Sequence, residues 1–436
     1  MSIEKIVKRV ESLSKEIISL CQRLVRANTV NRYSGDETWG NEGDGQAVIE
    51  PLLRDMDATI EKFDCPADIY QRMGILGPRE RDFRDRPNLI AELDFGGSGP
   101  RAVLQAHMDT VGVEGMTIEP FSGEIKDSKI WGRGSSDCKG GIAATIMALK
   151  ALTEFRDGLS GSVVFQSVVE EECNGGGAGS LACCARGLEA DFALITDGTG
   201  PMIGRGYSGV LTVDIQVTGV SGHAARPDGI SAIEKALVIK QALDRFKLER
   251  ESTSDKAIVN LGVFRGGTHP ALIAGNALMS LNMFTSFTDD FVLRCYPISD
   301  ALKAEGAGVG FGGRQIMEKF EEMIHEQEQT DAWLSEHPAE IVWVKDLIPF
   351  ELEADHPFTR QLAAMHQQIL GESPEIYVSP AWSDACYLPR FCNIPTLVYG
   401  AGTPGKSHSA DEFAEVERII NCSKVLAAYL YRQLSI

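Results

Sequence analysis

The chain has 436 residues, 43% of them hydrophobic and 24% charged, with a formal net charge of −20. That length exceeds one ordinary hydrophobic core, so about two domains are expected. The acidic balance disfavours nucleic acid and anionic membranes as partners, and no apolar run approaches the roughly 18 residues that a membrane helix needs.

The start, Met1-Ser2-Ile3-Glu4-Lys5, lacks a basic-then-apolar leader pattern, so the protein is expected to stay in the cytoplasm. Residues 4–27 carry Ile6, Val10, Leu13, Ile17, Leu20 and Leu24 at helical spacing. Strand-like runs follow near Asn88–Leu93 and Ala102–Ala106, then a helix over about Gly141–Glu154. A nearly continuous apolar strand covers 161–169, and Phe192–Thr196 forms another. Apolar strands of this kind between helices predict a mostly parallel mixed sheet covered on both faces, a three-layer α/β domain.

The pattern changes near residue 207. Leu211, Val213, Ile215 and Val217 alternate with Thr212, Asp214, Gln216 and Thr218, which predicts an antiparallel strand with one wet face. A helix from Ile230 to about Phe246, strands near 257–265 and 277–285, a long helix near 312–336 and a strand at Glu340–Lys345 complete an inserted α+β layer. The stretch from about Thr285 to Gly313 reads as an irregular loop. After about 350 the first pattern resumes, with a helix at 357–370, strands at Glu375–Val378 and Pro395–Tyr399, and a terminal helix at 414–434. The predicted division is therefore a discontinuous domain, 1–206 with 351–436, and an insertion, 207–350.

Acid and imidazole groups collect where the strands end. His107 and Asp109 close one strand, Glu170-Glu171-Glu172 another and Asp197 a third. Asp137 follows Gly132-Arg133-Gly134-Ser135-Ser136, and His408 lies in Lys406-Ser407-His408-Ser409. Strand ends are where open α/β sheets place their sites, and imidazoles with carboxylates form a ligand set for zinc or a similar divalent ion. Each cluster alone also has an ordinary reading: a surface His-x-Asp pair, a helix-capping aspartate, a solvated acidic loop. Adjacent buried glutamates would need a cation to stay ionised.

Other features say less. The ten cysteines are scattered with no Cys-x-x-Cys spacing, so reduced thiols are expected, with Cys138 and Cys173 beside the acidic clusters as sites to watch for oxidation. Gly400-Ala401-Gly402-Thr403-Pro404-Gly405 matches a dinucleotide fingerprint, but only one helix follows it, so no βαβ unit can. His223, leaving the alternating strand in Ser221-Gly222-His223, is poised to reach a neighbouring site. His325, His337, His356 and His366 read as surface or packing residues, and His269 as a turn residue.

Together, Ala106–Val111, Gly132–Gly141, Glu170–Gly179, Asp197-Gly198-Thr199, Gly222-His223, Ser383-Asp384-Ala385 and His408–Glu412 resemble the dinuclear zinc amidohydrolases and exopeptidases. That family includes acetylornithine deacetylase, succinyl-diaminopimelate desuccinylase, aminoacylase and glutamate carboxypeptidase. The resemblance runs over about residues 80–415. It implies two divalent metal ions, zinc first with cobalt or manganese as alternatives, bridged by Asp137. His107 and Asp197 would complete one site, and Glu172 and His408 the other.

By the same resemblance Glu171 is the general base, Asp109 orients His107, and a cis peptide follows Asp137. The insertion is a lid and homodimerisation domain whose His223 would stabilise the oxyanion in the partner's site. Asn276 would touch substrate. Two departures stand out. Three glutamates replace the family's usual Asp-Glu-Glu, so base and ligand could shift to Glu170 and Glu171. The strand after Asn276 also lacks the usual Asp-x-Arg, leaving Arg265 and Arg226 as substitutes for a carboxylate anchor. The implied activity is amide hydrolysis of an N-acyl amino acid by a metal-bridged water. A dipeptidase or carboxypeptidase comes second, then a catalytically silent metal- or ligand-binding protein on the same scaffold, and last a dinucleotide oxidoreductase.

Overall fold

The computed structural model describes residues 3–78, 81–173, 176–253, 257–285 and 313–436. The interior of the loop expected at 285–313 lies outside these, as do Asn174 and Gly175 behind the three glutamates. The strands fall mainly into two sheets. The larger has nine strands, and its centre is four parallel neighbours in the order Gly161–Val168, Arg101–His107, Phe192–Ile195 and Thr396–Val398. Antiparallel strands flank this centre: Asn88–Gly96 and Thr59–Phe63 on one side, Ile203–Tyr207 and Phe350–Glu351 on the other. Ile376–Ser379 runs parallel against Ile203–Tyr207.

Burial on both faces explains the near-continuous apolar runs. The strand Arg101–His107 shows the pleat directly: Ala102, Leu104 and Ala106 face one core and Val103 the other. Helices Ile3–Ser12, Ser14–Arg26, Gly140–Thr153 and Val416–Leu434 cover the first face, and Ala178–Ala185 and Tyr387–Phe391 the second. This is the predicted three-layer arrangement.

The second sheet is antiparallel, in the order Val259–Gly266, Asn276–Thr285, Gly209–Thr218 and Glu340–Leu347. Leu211, Val213 and Ile215 pair with Met283, Leu281 and Met279, and all six are buried. Helices Ala232–Thr253 and Arg314–Glu328 supply the cover, with Phe246 and Phe320 edge to face at 5.0 Å. The other face carries polar pairs such as Thr212 Oγ1 donating to Asn282 Oδ1 at 2.7 Å.

Three expectations change. The single helical pattern at 4–27 is two helices broken at Leu13. There Ser12 and Ser14 turn their hydroxyls onto the carbonyls of Arg9 and Glu11, both at 2.6 Å, a local bond that competes with the helix ladder. The helix expected to reach 336 ends at Glu328, because Asp331 Oδ1 accepts the backbone N–H of Trp333 and Leu334 and holds a turn. A three-stranded sheet of Glu124–Lys126, Lys129–Trp131 and Phe413–Glu415 is an addition to the predicted elements. None of the described helices is long and apolar enough to cross a membrane, and the nine described cysteines are all free.

Candidate metal centre and active site

The four central parallel strands all lead to site residues at the same sheet edge. Arg101–His107 ends on His107, Gly161–Val168 runs into the glutamates, Phe192–Ile195 into Asp197, and Thr396–Val398 into the segment that carries His408. Parallel strands put their carboxyl ends side by side, so residues distant in sequence meet there.

Asp137 sits between the two imidazoles. Its Oδ1 is 3.0 Å from His107 Nε2, and its Oδ2 is 3.6 Å from His408 Nε2. Asp197 Oδ1 lies 3.4 Å from His107 Nε2, and Glu172 Oε1 lies 2.8 Å from His408 Nε2. Donor atoms of His107, Asp137 and Asp197 fall within 4.8 Å of one another, as do those of Asp137, Glu172 and His408. The five predicted ligands are thus brought together as two overlapping sets that share Asp137. Glu171 also has a carboxylate oxygen within 4.8 Å of His107 and Glu172 donor atoms.

Electrostatics mark the same cluster. Burial pushes the Glu171 carboxyl well above its usual range, and burial followed by the charge of Asp137 raises Glu172 to about 7. The hydrogen bond to Glu172 raises His408 to about 9. Burial opposes ionisation of Asp197, but its hydrogen bond with His107 holds it below the usual carboxylate range. Crowded carboxylates of this kind hold protons where they lack cations. Cys138 also lies near His107, but burial raises its thiol to about 12, and it donates to the His107 carbonyl at 3.2 Å. It is a poor oxidation target in that state.

The local backbone supports this placement. The Asp137–Cys138 peptide is cis. Glu412, almost fully buried, accepts from the backbone N–H of Ser136 at 2.9 Å and of Asp137 at 3.2 Å, and pairs with Arg133 at 2.7 Å. Ser383 Oγ donates to Asp197 Oδ2 at 3.1 Å. Gly198 passes so close that an added Cβ would lie 2.7 Å from Asp137 Cγ, so a side chain there would push the Asp137 carboxylate aside.

Asp109 differs from its expected role. Its carboxylate is 3.9 Å from His107 Nδ1, beyond hydrogen-bond reach, while its backbone carbonyl takes that contact at 3.0 Å. The carboxylate instead accepts the backbone N–H of Glu171 and of Glu172, at 3.2 and 2.9 Å. Glu170 turns away from the donor cluster, at φ +71°, to pair with Arg86 at 2.8 Å. That geometry favours Glu171 and Glu172 over the alternative register.

The residues of the inserted layer are not brought to this cluster within one chain's contacts. His223 is exposed on the short strand Gly222–His223, paired with Leu272–Ile273. Asn276, Arg265 and Arg226 are also exposed there. Glu412, Arg133 and Ser383 all lie inside the quoted motifs, but nothing in their sequence pattern assigned them a role. Asn31, which bonds Asp109 at 2.8 Å, gave no signal at all.

Known proteins resemble the chain along most of its length. The model of peptidase family M20/M25/M40 matches residues 103–432. The chain is 28% identical to an N-formyl-4-amino-5-aminomethyl-2-methylpyrimidine deformylase of Halalkalibacterium halodurans, over 98% of this chain and 97% of that one. It is 26% identical to a succinyl-diaminopimelate desuccinylase of Gluconacetobacter diazotrophicus, over 79% and 84%. Its fold is similar to that of the dipeptidase Dug1p of Saccharomyces cerevisiae, with a TM-score of 0.72 at 14% identity, covering 99% of this chain and 98% of that one. The chain belongs to peptidase family M20/M25/M40 and is one of its metallohydrolases of amide bonds.

Proposed function

We propose that the chain hydrolyses the amide of a small N-formyl or N-acyl amine, with two divalent ions held by His107, Asp197, Glu172 and His408 and shared through Asp137. The observation that carries this is Asp137, whose two oxygens face different imidazoles. Three carboxylates and two imidazoles suit zinc, and cobalt and manganese accept the same donors. When bound, such ions supply Lewis acidity and make water acidic enough to attack at neutral pH.

Glu171 takes the proton of the attacking water and returns it to the leaving amine. Its half-buried carboxylate, with an oxygen within 4.8 Å of the His107 and Glu172 donor atoms, stands beside the proposed ions where that water would be held. His223 Nδ1 accepts the N–H of Ala225 at 3.1 Å, which leaves Nε2 carrying the proton and free to donate to an oxyanion. We place that donation in the site of a second copy. Exposed Leu237, Leu248, Val263 and Phe264 in the same layer support self-association.

For the substrate, the full-length similarity to the pyrimidine deformylase favours an N-formyl amine on a heteroaromatic ring. The lack of an Asp-x-Arg after Asn276 suits a substrate without an α-carboxylate. An N-acyl amino acid or dipeptide is the second reading, favoured by the desuccinylase relative. Amine release from formyl-aminomethylpyrimidine, N-acetyl and N-succinyl amino acids and dipeptides, measured on zinc- or cobalt-loaded protein, tests this. The formyl compound should turn over fastest. Faster turnover of an acyl amino acid would select the second reading, and no turnover of any would return the silent binding protein.

A further inference from the structure

We infer that Glu170 and Asn31 are positioning residues that hold the general base and its neighbouring ligand in register. The proposal rests on reading Glu171 as the base and Glu172 as a ligand. Glu170 is completely buried and lies among cations and donors rather than with the other glutamates. Arg86 Nη2 donates to its Oε2 at 2.8 Å, and Arg81 Nε is 3.5 Å from its Oε1. Arg86 also grips buried Glu42 through Nε at 2.9 Å and through Nη2. Burying a carboxylate this deeply costs less beside such partners.

Asn31 connects this group to the site. Its Oδ1 accepts the N–H of Tyr33 at 2.9 Å, which fixes the amide orientation. Both amide hydrogens then point at carboxylates, Asp109 Oδ2 at 2.8 Å and Glu170 Oε2 at 3.2 Å. Asp109 in turn receives the backbone N–H of Glu171 and Glu172. The chain of contacts runs from Arg86 through Glu170, Asn31 and Asp109 to the backbone of both catalytic glutamates. None of these links needs substrate, so the network sets where Glu171 stands before substrate arrives.

The test is a double-mutant cycle on the full-length, metal-loaded protein with Glu170→Gln and Asn31→Ala, measuring kcat, KM and bound metal. Each single change should lower kcat about ten- to a hundredfold through misplacement of the base, with KM and metal content little changed. Because both act through Asp109, the double variant should lose about as much as the worse single one. Unchanged kcat in either folded variant, or losses that multiply, would overturn the proposal. Asn31→Ala removes no charge, so it carries the test alone if Glu170→Gln fails to fold. Glu171→Gln is measured alongside: if it keeps full turnover the base reading itself fails, whereas its loss with intact Glu170→Gln rejects only the positioning role.

Discussion

The placement of Asp137 between the two imidazoles is backed by bonds to its backbone. The buried Glu412 carboxylate takes the N–H of Asp137 and Ser136 while Arg133 balances its charge. Glu412→Gln should therefore lower metal affinity about ten- to a hundredfold, read by competition with a chelating dye; unchanged affinity would deny it that role. The five proposed ligands stood out in the sequence because His107, Glu172 and Asp197 lie at or just beyond the ends of apolar strands, and Asp137 and His408 lie in short polar motifs. Glu412 and Asn31 did not. Their partners are 275 and 78 residues away, and a single buried glutamate or loop asparagine has no pattern of its own.

At the scale of elements, periodicity located most helices and strands but missed where side chains interrupt them. Ser12, Ser14 and Asp331 each divert a backbone group into a local bond, and apolar spacing is blind to that. His366, read as a surface or packing residue, is a buried packing residue on the helix Pro357–Leu370, with Nδ1 2.9 Å from Tyr399 Oη. Burial holds its pKa below the ordinary 6.5. The unfolded chain takes up this proton at higher pH than the folded one, so the contribution is present above about pH 6.5 and is lost as pH falls. His366→Gln should lose less stability than the native chain between about pH 7.5 and 5.5, measured by urea midpoints. An identical pH dependence would contradict this.

At the scale of the whole molecule, the metal cluster draws on both ends of the chain, while His223 stands on the layer between them. If His223 serves a second copy's site, Glu171→Gln and His223→Ala chains mixed under exchange should form heterodimers with one intact site. Random pairing would restore about a quarter of native activity, and no recovery despite exchange would place His223 outside the partner's site. In the proposed reaction five ligands hold two ions while Glu171, which is not needed to hold them, moves the proton. Metal content and turnover of Glu171→Gln measure this directly. The prediction is two ions per chain with turnover down by about two to four orders of magnitude; near-normal turnover with both ions bound would contradict it.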